Sequence, residues 1–508
     1  MKTKINQKWR NGKRRIDRRL DKTKLGNCDR PAFTARNINY EYSDRCRGTQ
    51  HGGIGAMQLV AHYLGLDKMI DDRLHLLKVH LPYHESDHVL NFAYNAFCGG
   101  TCLDDIEERR NDEVFLDALG ARRIPDPTTA GDFCRRFQEE HIMTLQEVFD
   151  DARRKVWAVQ PAEFFTRAYV DMDGSLVETT GSCKQGMDIA YNGTWGYHPL
   201  ILSLANTREV LRIVNRSGNR PSHEGAAAQV DQVIALCQSA GFAEVLLRGD
   251  TDFSQTEHLD RWNALPNVHF IFGYDARDTL TGMAEHLPDR AWQRLERPPH
   301  YEVQTEPRDR PENVKAKIVV QREFEKLTLE SEEVAEFNYQ PTACAERYRM
   351  IVVRKTIKVT KGQLRLEDET RYFFYITNDW VSEANEIVFL ANDRCHQENL
   401  IEQLKNGPRA LQAPVDNLLS NWTYMVMTSL AWNLKAWFAL LLPEHPRHRE
   451  KHRQEKELVL GMEFKKFLHA FVAMPAQIVR TGRRWVYRLL SWNPWQAIFF
   501  RVVARLRC

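Results

Sequence analysis

Acidic residues at the ends of two predicted strands could bind a divalent metal ion. Asp171 and Asp173 lie at the end of the apolar segment Phe165–Met172, and Asp250 follows the segment Glu244–Arg248. Residues two apart in a strand point to the same face of a sheet. Carboxylates at close range repel each other, and Mg²⁺, which prefers oxygen ligands, relieves this. Two ions about 4 Å apart could then activate water and stabilise the leaving oxygen in phosphodiester cleavage.

Each aspartate also has a simpler structural interpretation. Asp next to Gly is common in turns because its side chain bonds to the local backbone. Asp173 precedes Gly174, and Asp250 follows Gly249. Asp171 and Asp252 therefore stay as alternates to Asp173 and Asp250.

A third group of charged residues lies on a predicted helix further along the chain. Arg394, Glu398 and Lys405 are at offsets of 0, 4 and 11 residues, and at about 100° per residue they share one face of the helix. One acid between two bases could complete a metal site and hold the phosphates around it. The alternative is a solvated stripe of ion pairs, and Glu402 is the competing acid.

The elements around these residues would bring the first two acidic motifs together. Further segments follow the Asp173 strand in this order: strands at His198–Ala205 and Glu209–Asn215, a helix at 230–237, a strand at Glu244–Arg248, a short helix around Leu259 and Trp262, and a strand at Val268–Tyr274. This is the order of the ribonuclease H-like fold, in which the first and fourth strands are neighbours. The analogy concerns the fold and does not by itself give the chemistry.

The rest of the chain divides by composition. Residues 276–385 are rich in charge and proline and predict a mostly β insertion, with extended segments such as Ala316–Gln321, Tyr348–Val359 and Arg371–Thr377. Helix is predicted from about 386 to 442. Its apolar part, Leu418–Leu442, contains Asn421, Asn433 and Lys435, which favours buried helix over a membrane span.

The predicted fold class is α/β, with a mixed-sheet ribonuclease H-like catalytic core interrupted by the β insertion and preceded by a helical N-terminal domain. The predicted segments are a basic arm (1–50), a helical domain for DNA binding or assembly (51–160), the first part of the core (161–275), the insertion (276–385), the final core helices (386–445) and a basic C-terminal region (446–508).

Composition and charge indicate a soluble protein with a polyanionic partner. Hydrophobic residues make up 43% and charged residues 27%, which excludes disordered, collagen-like and coiled-coil chains. Ten cysteines without a Cys-x-x-Cys pair indicate reduced thiols of a cytosolic protein. The net charge is +3, yet residues 1–24 hold eleven Lys/Arg against Asp17 and Asp21, and 480–508 hold seven Arg and no acid. Two basic ends indicate nucleic acid, although either end could be a solubilising tail.

Taken together, these motifs resemble the DDE transposases of bacterial insertion sequences, in the branch with a β insertion before the final Glu. Asp173-Gly174-Ser175 resembles the first Asp motif, and Arg248-Gly249-Asp250-Thr251-Asp252-Phe253 resembles the second. Arg394, Glu398 and Lys405 match the family's Tyr-x₂-Arg-x₃-Glu-x₆-Lys signature, with Ala391 at the Tyr position. The segment from Tyr191 to Leu200 also resembles the corresponding segment of one subgroup of these transposases.

The resemblance implies an endonuclease that cuts and joins DNA with two Mg²⁺ (or Mn²⁺) ions. Asp173, Asp250 and Glu398 would be the catalytic residues and metal ligands, with Asp171, Asp252 and Glu402 as alternates. Arg394 and Lys405 would bind DNA phosphates. The partners implied are the terminal inverted repeats, target DNA and further copies of the chain, in a dimer or larger synaptic complex. The location implied is the bacterial cytoplasm, associated with the nucleoid and with no membrane.

Two other functions stay open. A ribonuclease H-like nuclease without strand transfer would keep the same three carboxylates. A transposase that has lost its chemistry and only binds DNA would not need them.

Overall fold

The computed structural model describes residues 2–21, 35, 38–40, 46–80, 82–181, 183–297, 318, 325–361, 364–365, 369–482 and 484–507. Most of the predicted extended segment Ala316–Gln321 and much of the predicted arm 1–50 lie outside these residues. The first part of the described chain is helical apart from one short strand: α1 (Lys2–Leu20), β1 (Gly48–Thr49), α2 (Ile54–Leu64), α3 (Leu66–Arg73), α4 (Glu85–Phe97), α5 (Ile106–Arg110), α6 (Glu113–Leu119), α7 (Pro127–Cys134) and α8 (Glu139–Trp157).

Strands and helices then alternate. The elements are β2 (Arg167–Gly174), β3 (Val177–Glu178), β4 (Asp188–Ile189), β5 (Trp195–Tyr197), β6 (Leu200–Leu204), β7 (Glu209–Val214), α9 (Ala226–Ala240), β8 (Glu244–Gly249), α10 (Thr256–Asn263), β9 (Val268–Tyr274), α11 (Asp278–Glu285) and β10 (Gln293–Arg294). The long strands and helices of this region agree with the predicted order. The short strands β3, β4 and β5, which form a separate small sheet, were not predicted from the sequence.

The long strands belong to one ten-stranded mixed sheet. Its order is β10-β11-β12-β14-β9-β8-β2-β6-β7, where β11 (Glu325–Tyr339), β12 (Tyr348–Lys361) and β14 (Glu369–Thr377) come from the predicted insertion and β13 (Leu364–Arg365) pairs with β12. β2 is parallel to β8 and antiparallel to β6, and β8 is parallel to β9. The insertion strands therefore extend the central sheet, because β14 pairs with β9.

The predicted helical region from 386 to 442 consists of three helices. They are α12 (Ala384–Asn392), α13 (Cys395–Asn406) and α14 (Leu418–Leu440). Pro408 and Pro414 lie between α13 and α14, and proline cannot continue a helix because it lacks the backbone N–H. Arg394 is the N-cap of α13, so the stripe of Arg394, Glu398 and Lys405 begins at the N-terminal end of this helix.

α14 is the buried helix that the sequence predicted. All its residues from Ser420 to Leu440 are buried, and two of its polar side chains bind the backbone of neighbouring elements. Asn433 exchanges two hydrogen bonds with the backbone of Val210 (2.9 and 3.0 Å), and Lys435 Nζ donates to the carbonyl of Leu460 (3.0 Å). Among the described residues, no helix has the length and apolar character needed to cross a membrane.

The C-terminal region returns to the N-terminal part of the chain. It contains α15 (Arg449–Leu460), α16 (Phe464–Phe467), a π-helical turn (Leu468–Val472), β15 (Ala476–Thr481), β16 (Arg484–Leu489) and α17 (Gln496–Leu506). β15 pairs with both β16 and β1.

Apolar side chains cover both faces of the large sheet. Buried residues from α2 to α17 form one continuous cluster. A second, smaller cluster joins Leu246, Ile271 and Ile351 of the sheet to Ile387 and Val388 of α12. Because alternate residues share a face, Asp171, Asp173 and Arg248 lie on the α12 side of the sheet.

Candidate active site

The parallel pairing of β2 with β8 places two of the predicted acidic residues at the same edge of the sheet. In this register Asp171 lies opposite Arg248. Asp173 and Asp250 each follow two residues later, so the chain brings them to adjacent positions where the strands end. Asp250 is the N-cap of a 3₁₀ turn, Thr251–Phe253, and its Oδ1 accepts a hydrogen bond from the N–H of Asp252 (3.1 Å).

Asp171, the alternate to Asp173, is engaged in a buried ion pair. Its side chain is 1% exposed and that of Arg248 is 4% exposed. Arg248 Nε and Nη2 donate to the two carboxylate oxygens of Asp171 (2.6 and 2.9 Å), and Nη1 donates to the carbonyl of Leu390 in α12 (3.0 Å). Both oxygens of Asp171 thus have a partner, and the pair holds β2 and β8 against α12.

Asp173 is the electrostatic centre of the site. Burial raises the pKa of Asp173 to about 6, and the carboxylates of Asp250 and Glu398 act in the same direction. Arg394 acts against this shift: its Nη1 donates to Asp173 Oδ2 at 3.3 Å. Burial also raises the pKa of Asp250, again opposed by Arg394. Arg394 therefore offsets part of the negative charge of these two carboxylates.

α13 lies across β2 and β6 because Gln397 anchors it. The Gln397 side chain is buried; it accepts a hydrogen bond from the Ser203 hydroxyl and donates to the carbonyl of Ile201 (3.1 Å). Ile201 is the β6 partner of Asp173. The next residue, Glu398, is exposed in the first turn of α13.

Lys405, in the last turn of α13, also faces Asp173. Burial lowers the pKa of Lys405, and the charge of Asp173 opposes this shift. Asp173 therefore contacts Arg394 directly and interacts electrostatically with Asp250, Glu398 and Lys405. The two remaining alternates, Asp252 and Glu402, are exposed. Glu402 lines a separate cavity of about 410 Å³ with Arg208 and Trp432.

His198 is a residue of this site for which sequence reasoning gave no role. A Cβ at Gly174 would lie 2.6 Å from His198 Nε2, so the imidazole fills the side-chain space of the residue after Asp173. His198 Nδ1 lies 2.8 Å from the carbonyl of Arg220, so Nδ1 carries the proton and Nε2 is an acceptor. Burial lowers the pKa of His198, which keeps the ring neutral. The available signal was Tyr197-His198-Pro199, inside the segment that resembles one transposase subgroup.

The donor set suits a hard divalent cation, since Asp173, Asp250 and Glu398 offer carboxylate oxygens. Among the residues that the structure describes, no three Asp, Glu, His or Cys side chains converge closely enough to form a preformed metal cage. Arg394 is the cation that contacts Asp173 instead. A metal ion at this edge would therefore share Asp173 with Arg394 or displace it.

Comparison with known proteins identifies related chains. Residues 45–508 match the family model described as the transposase DDE domain, group 1. Among solved structures, the chain is similar to a piggyBac transposase in a synaptic complex with hairpin DNA, with 9% identity, a TM-score of 0.34 and coverage of 84% of this chain and 83% of that one. No curated protein matches the sequence significantly.

Proposed function

The chain belongs to the transposases that share the group 1 DDE domain, and from this premise we propose that Asp173, Asp250 and Glu398 are its catalytic carboxylates. The observation that carries the proposal is the parallel pairing of β2 with β8, which brings Asp173 and Asp250 to the same edge of the sheet, where Arg394 Nη1 contacts Asp173 Oδ2 at 3.3 Å. The order of β2, β6, β7, β8 and β9 supports a ribonuclease H-like core, in which this edge of the sheet is the place for chemistry.

We propose two Mg²⁺ or Mn²⁺ ions as cofactors, held by Asp173, Asp250 and Glu398. Such ions would activate water and stabilise the leaving 3′ oxygen during cleavage of a phosphodiester. The raised pKa values of Asp173 and Asp250 support this assignment, because a nearby cation would stabilise both ionised carboxylates.

The basic residues of the site have separate roles in this proposal. Arg394 neutralises Asp173 in the free protein and moves to a DNA phosphate when substrate and cations bind. Its planar guanidinium suits a phosphate group. Lys405, at the other end of α13, holds a second phosphate as a point charge. Gln397 is a positioning residue that fixes the face of α13 on which Glu398 lies.

The proposed reaction has two steps. Water attacks the phosphorus at the terminal inverted repeat, the bond to the 3′ oxygen breaks, and that oxygen takes a proton. The freed 3′-hydroxyl then attacks a phosphodiester of target DNA: a P–O bond forms to the attacking oxygen, the P–O bond to the target's 3′ oxygen breaks, and that leaving oxygen takes up the proton that the attacking hydroxyl releases. We propose an insertion sequence of bacterial type as the element, the helical region and the basic ends as its binding surfaces, and a dimer or larger complex as the active form.

Cleavage of the gene's own flanking DNA tests this proposal. Purified protein is incubated with Mg²⁺ and a fragment that carries the reading frame and its flanks, and strand breaks and joined products are mapped. Asp250→Asn and Glu398→Gln should abolish cutting. Asp252→Asn and Glu402→Gln are the matched controls, because they alter the alternate acids on the same turn and helix and should retain activity.

The pattern of products separates the possible functions. Paired breaks at inverted repeats followed by joining would support a transposase. Scattered breaks without joining would favour a plain nuclease, and binding without breaks would favour a chain that has lost its chemistry. Loss of activity in Asp252→Asn with activity retained in Asp250→Asn would overturn the residue assignment.

A further inference from the structure

The two basic ends of the chain meet in the structure. Trp9 Nε1 of α1 donates to the carbonyl of Asn493 (3.2 Å), although the two residues are 484 positions apart in sequence. The rings of Trp9 and Trp492 lie 6.2 Å apart. A Cβ at Gly12 would approach Trp492 Cβ to 3.1 Å, so α1 lies tightly against this ring.

The docking position is fixed to the core. Asn493 Nδ2 donates to the carbonyls of His469 and Ala470 (3.3 and 3.0 Å). Trp495 packs on Phe471, with ring centroids 5.9 Å apart, and Phe471 packs on Phe438 of α14 at 5.1 Å. A continuous series of contacts thus connects the buried helix α14 to the surface on which α1 rests.

α1 docks with one narrow stripe and exposes its charge. Trp9, Gly12 and Ile16 are half-buried, and at about 100° per residue they lie within about 60° of one another. The exposed side chains of α1 include one acid, Asp17, and seven bases: Lys8, Arg10, Lys13, Arg14, Arg15, Arg18 and Arg19.

The C-terminal hairpin adds charge beside this helix. Arg480, Arg484 and Arg488 are exposed on β15 and β16, and β16 ends three residues before Trp492. The N-terminal segment also contacts the hairpin itself, because Gly48 and Thr49 pair with Gln477 and Ala476 of β15. Both ends of the chain therefore contribute to one basic surface.

Resting on the function proposed above, we propose that α1, docked on Trp492, and the β15–β16 hairpin form one surface that binds the phosphates of duplex DNA. A 19-residue helix is about 28 Å long, and a duplex carries one negative charge per roughly 1.7 Å of its axis. A membrane surface suits the helix less well, because insertion requires a free apolar face and Trp9 is already packed against Trp492.

DNA binding by docking variants tests this surface. The probe is a fluorescent duplex of arbitrary sequence, titrated at several salt concentrations without Mg²⁺, in the Asp250→Asn background. Gly12→Leu places a side chain where Trp492 lies and leaves all charges in place. We expect roughly tenfold weaker binding, and a salt slope that is shallower by about 0.9 for each phosphate that the variant no longer neutralises. Trp9→Ala should have the same effect.

Asn11→Leu is the matched control, because it introduces the same side chain at an exposed position of α1 and should bind as the parent does. Trypsin cleavage within α1 reports whether the helix has left Trp492, and thermal unfolding reports whether the core is intact. A still-protected α1 in Gly12→Leu would contradict the docking contact. A detached helix with unchanged affinity and salt slope would overturn the proposal.

Two further measurements test the role of the hairpin and the membrane alternative. Arg484→Gln with Arg488→Gln should also lower the salt slope, and an unchanged slope would exclude the hairpin from the surface. Stronger binding of the parent to phosphatidylserine vesicles than to duplex would overturn the assignment of DNA. These readouts do not require cutting, so failure of the proposed catalytic function would appear separately, as lost cleavage with binding retained.

Discussion

Asp171 and Arg248 face each other across the parallel strands β2 and β8, and both oxygens of the carboxylate accept hydrogen bonds from the guanidinium. Two residues further along each strand, Asp173 and Asp250 have no such partner in register. Neighbouring acids on the same strand therefore have different environments: Asp171 is paired with the buried Arg248, whereas Asp173 contacts Arg394 at 3.3 Å and the charge of Asp250 opposes its ionisation. This difference leads to opposite expectations for the two substitutions.

Asp171→Ala should destabilise the fold by about 3–5 kcal/mol, because it leaves the buried Arg248 without its counter-charge. Asp173→Asn should be neutral or stabilising in metal-free buffer at pH 7–8, because it removes a carboxylate whose pKa burial raises to about 6. Denaturant unfolding of both variants measures this. A larger loss of stability in Asp173→Asn than in Asp171→Ala would contradict the assignment.

Gly174→Ala should impair cleavage by displacing His198, whose Nε2 occupies the space of the new methyl group. The prediction is a non-additive pair. Gly174→Ala should cost activity in the parent but little more in a His198→Ala background, since the clash is then absent. Cleavage rates of the two single variants and the double variant measure the coupling, and additive losses would show that Gly174 acts independently of the imidazole.

Gln397→Leu should reduce cleavage although Glu398 is unchanged, because α13 loses its hydrogen bonds to β6. The buried Ser203 hydroxyl and Ile201 carbonyl would be left unpaired, at a cost of about 1–3 kcal/mol for each group. Asn399→Leu, at an exposed position of the same helix, is the control. Equal behaviour of the two variants in unfolding and cleavage assays would remove Gln397 as a positioning residue.

Mg²⁺ should stabilise the parent protein against unfolding, by about 2.7 kcal/mol at a concentration 100 times its Kd. Asp173→Asn and Asp250→Asn should lose most of this gain, and Glu402→Gln should keep it. Thermal unfolding with and without Mg²⁺ measures the difference without any need for activity. Equal stabilisation of all four proteins would place the metal elsewhere.

Lys435 should make stability depend on pH. Burial lowers the pKa of Lys435 to about 7 from 10.5, so between these values the unfolded chain binds a proton that the folded chain has released. Stability should therefore rise with pH across this window. Lys435→Met should be more stable than the parent at pH 7, by at most about 5 kcal/mol, and this advantage should shrink towards pH 10. Parallel pH profiles would contradict the shift.

The local pattern of the sequence was sufficient for the central strands. β9 has the predicted bounds, Val268–Tyr274, because a short apolar run between turns has one good interpretation. The neighbouring positions of β2 and β8 followed from the order of the elements. The pairing of β14 with β9 did not, because pairing partners of strands distant in sequence leave no local signal.

The candidate site shows the same limit. Spacing on a helix grouped Arg394, Glu398 and Lys405; in the structure Arg394 contacts Asp173, and the charges of Glu398 and Lys405 interact with that of Asp173. Spacing could not show that Arg248 forms an ion pair with Asp171 or that His198 lies against Gly174. Those contacts depend on the strand register and on a loop that returns to the sheet, and both are properties of the assembled fold.

The buried position of α14 has a consequence for protein synthesis. Its residues contact α4, α8 and β7, which are synthesised some 200 residues earlier or more. The apolar surfaces that these elements bury against α14 are therefore uncovered until α14 has been synthesised. Glu398 also emerges long after Asp173 and Asp250. A nascent or prematurely terminated chain would therefore lack the third carboxylate of the proposed triad, and on the function proposed above it would not cut DNA.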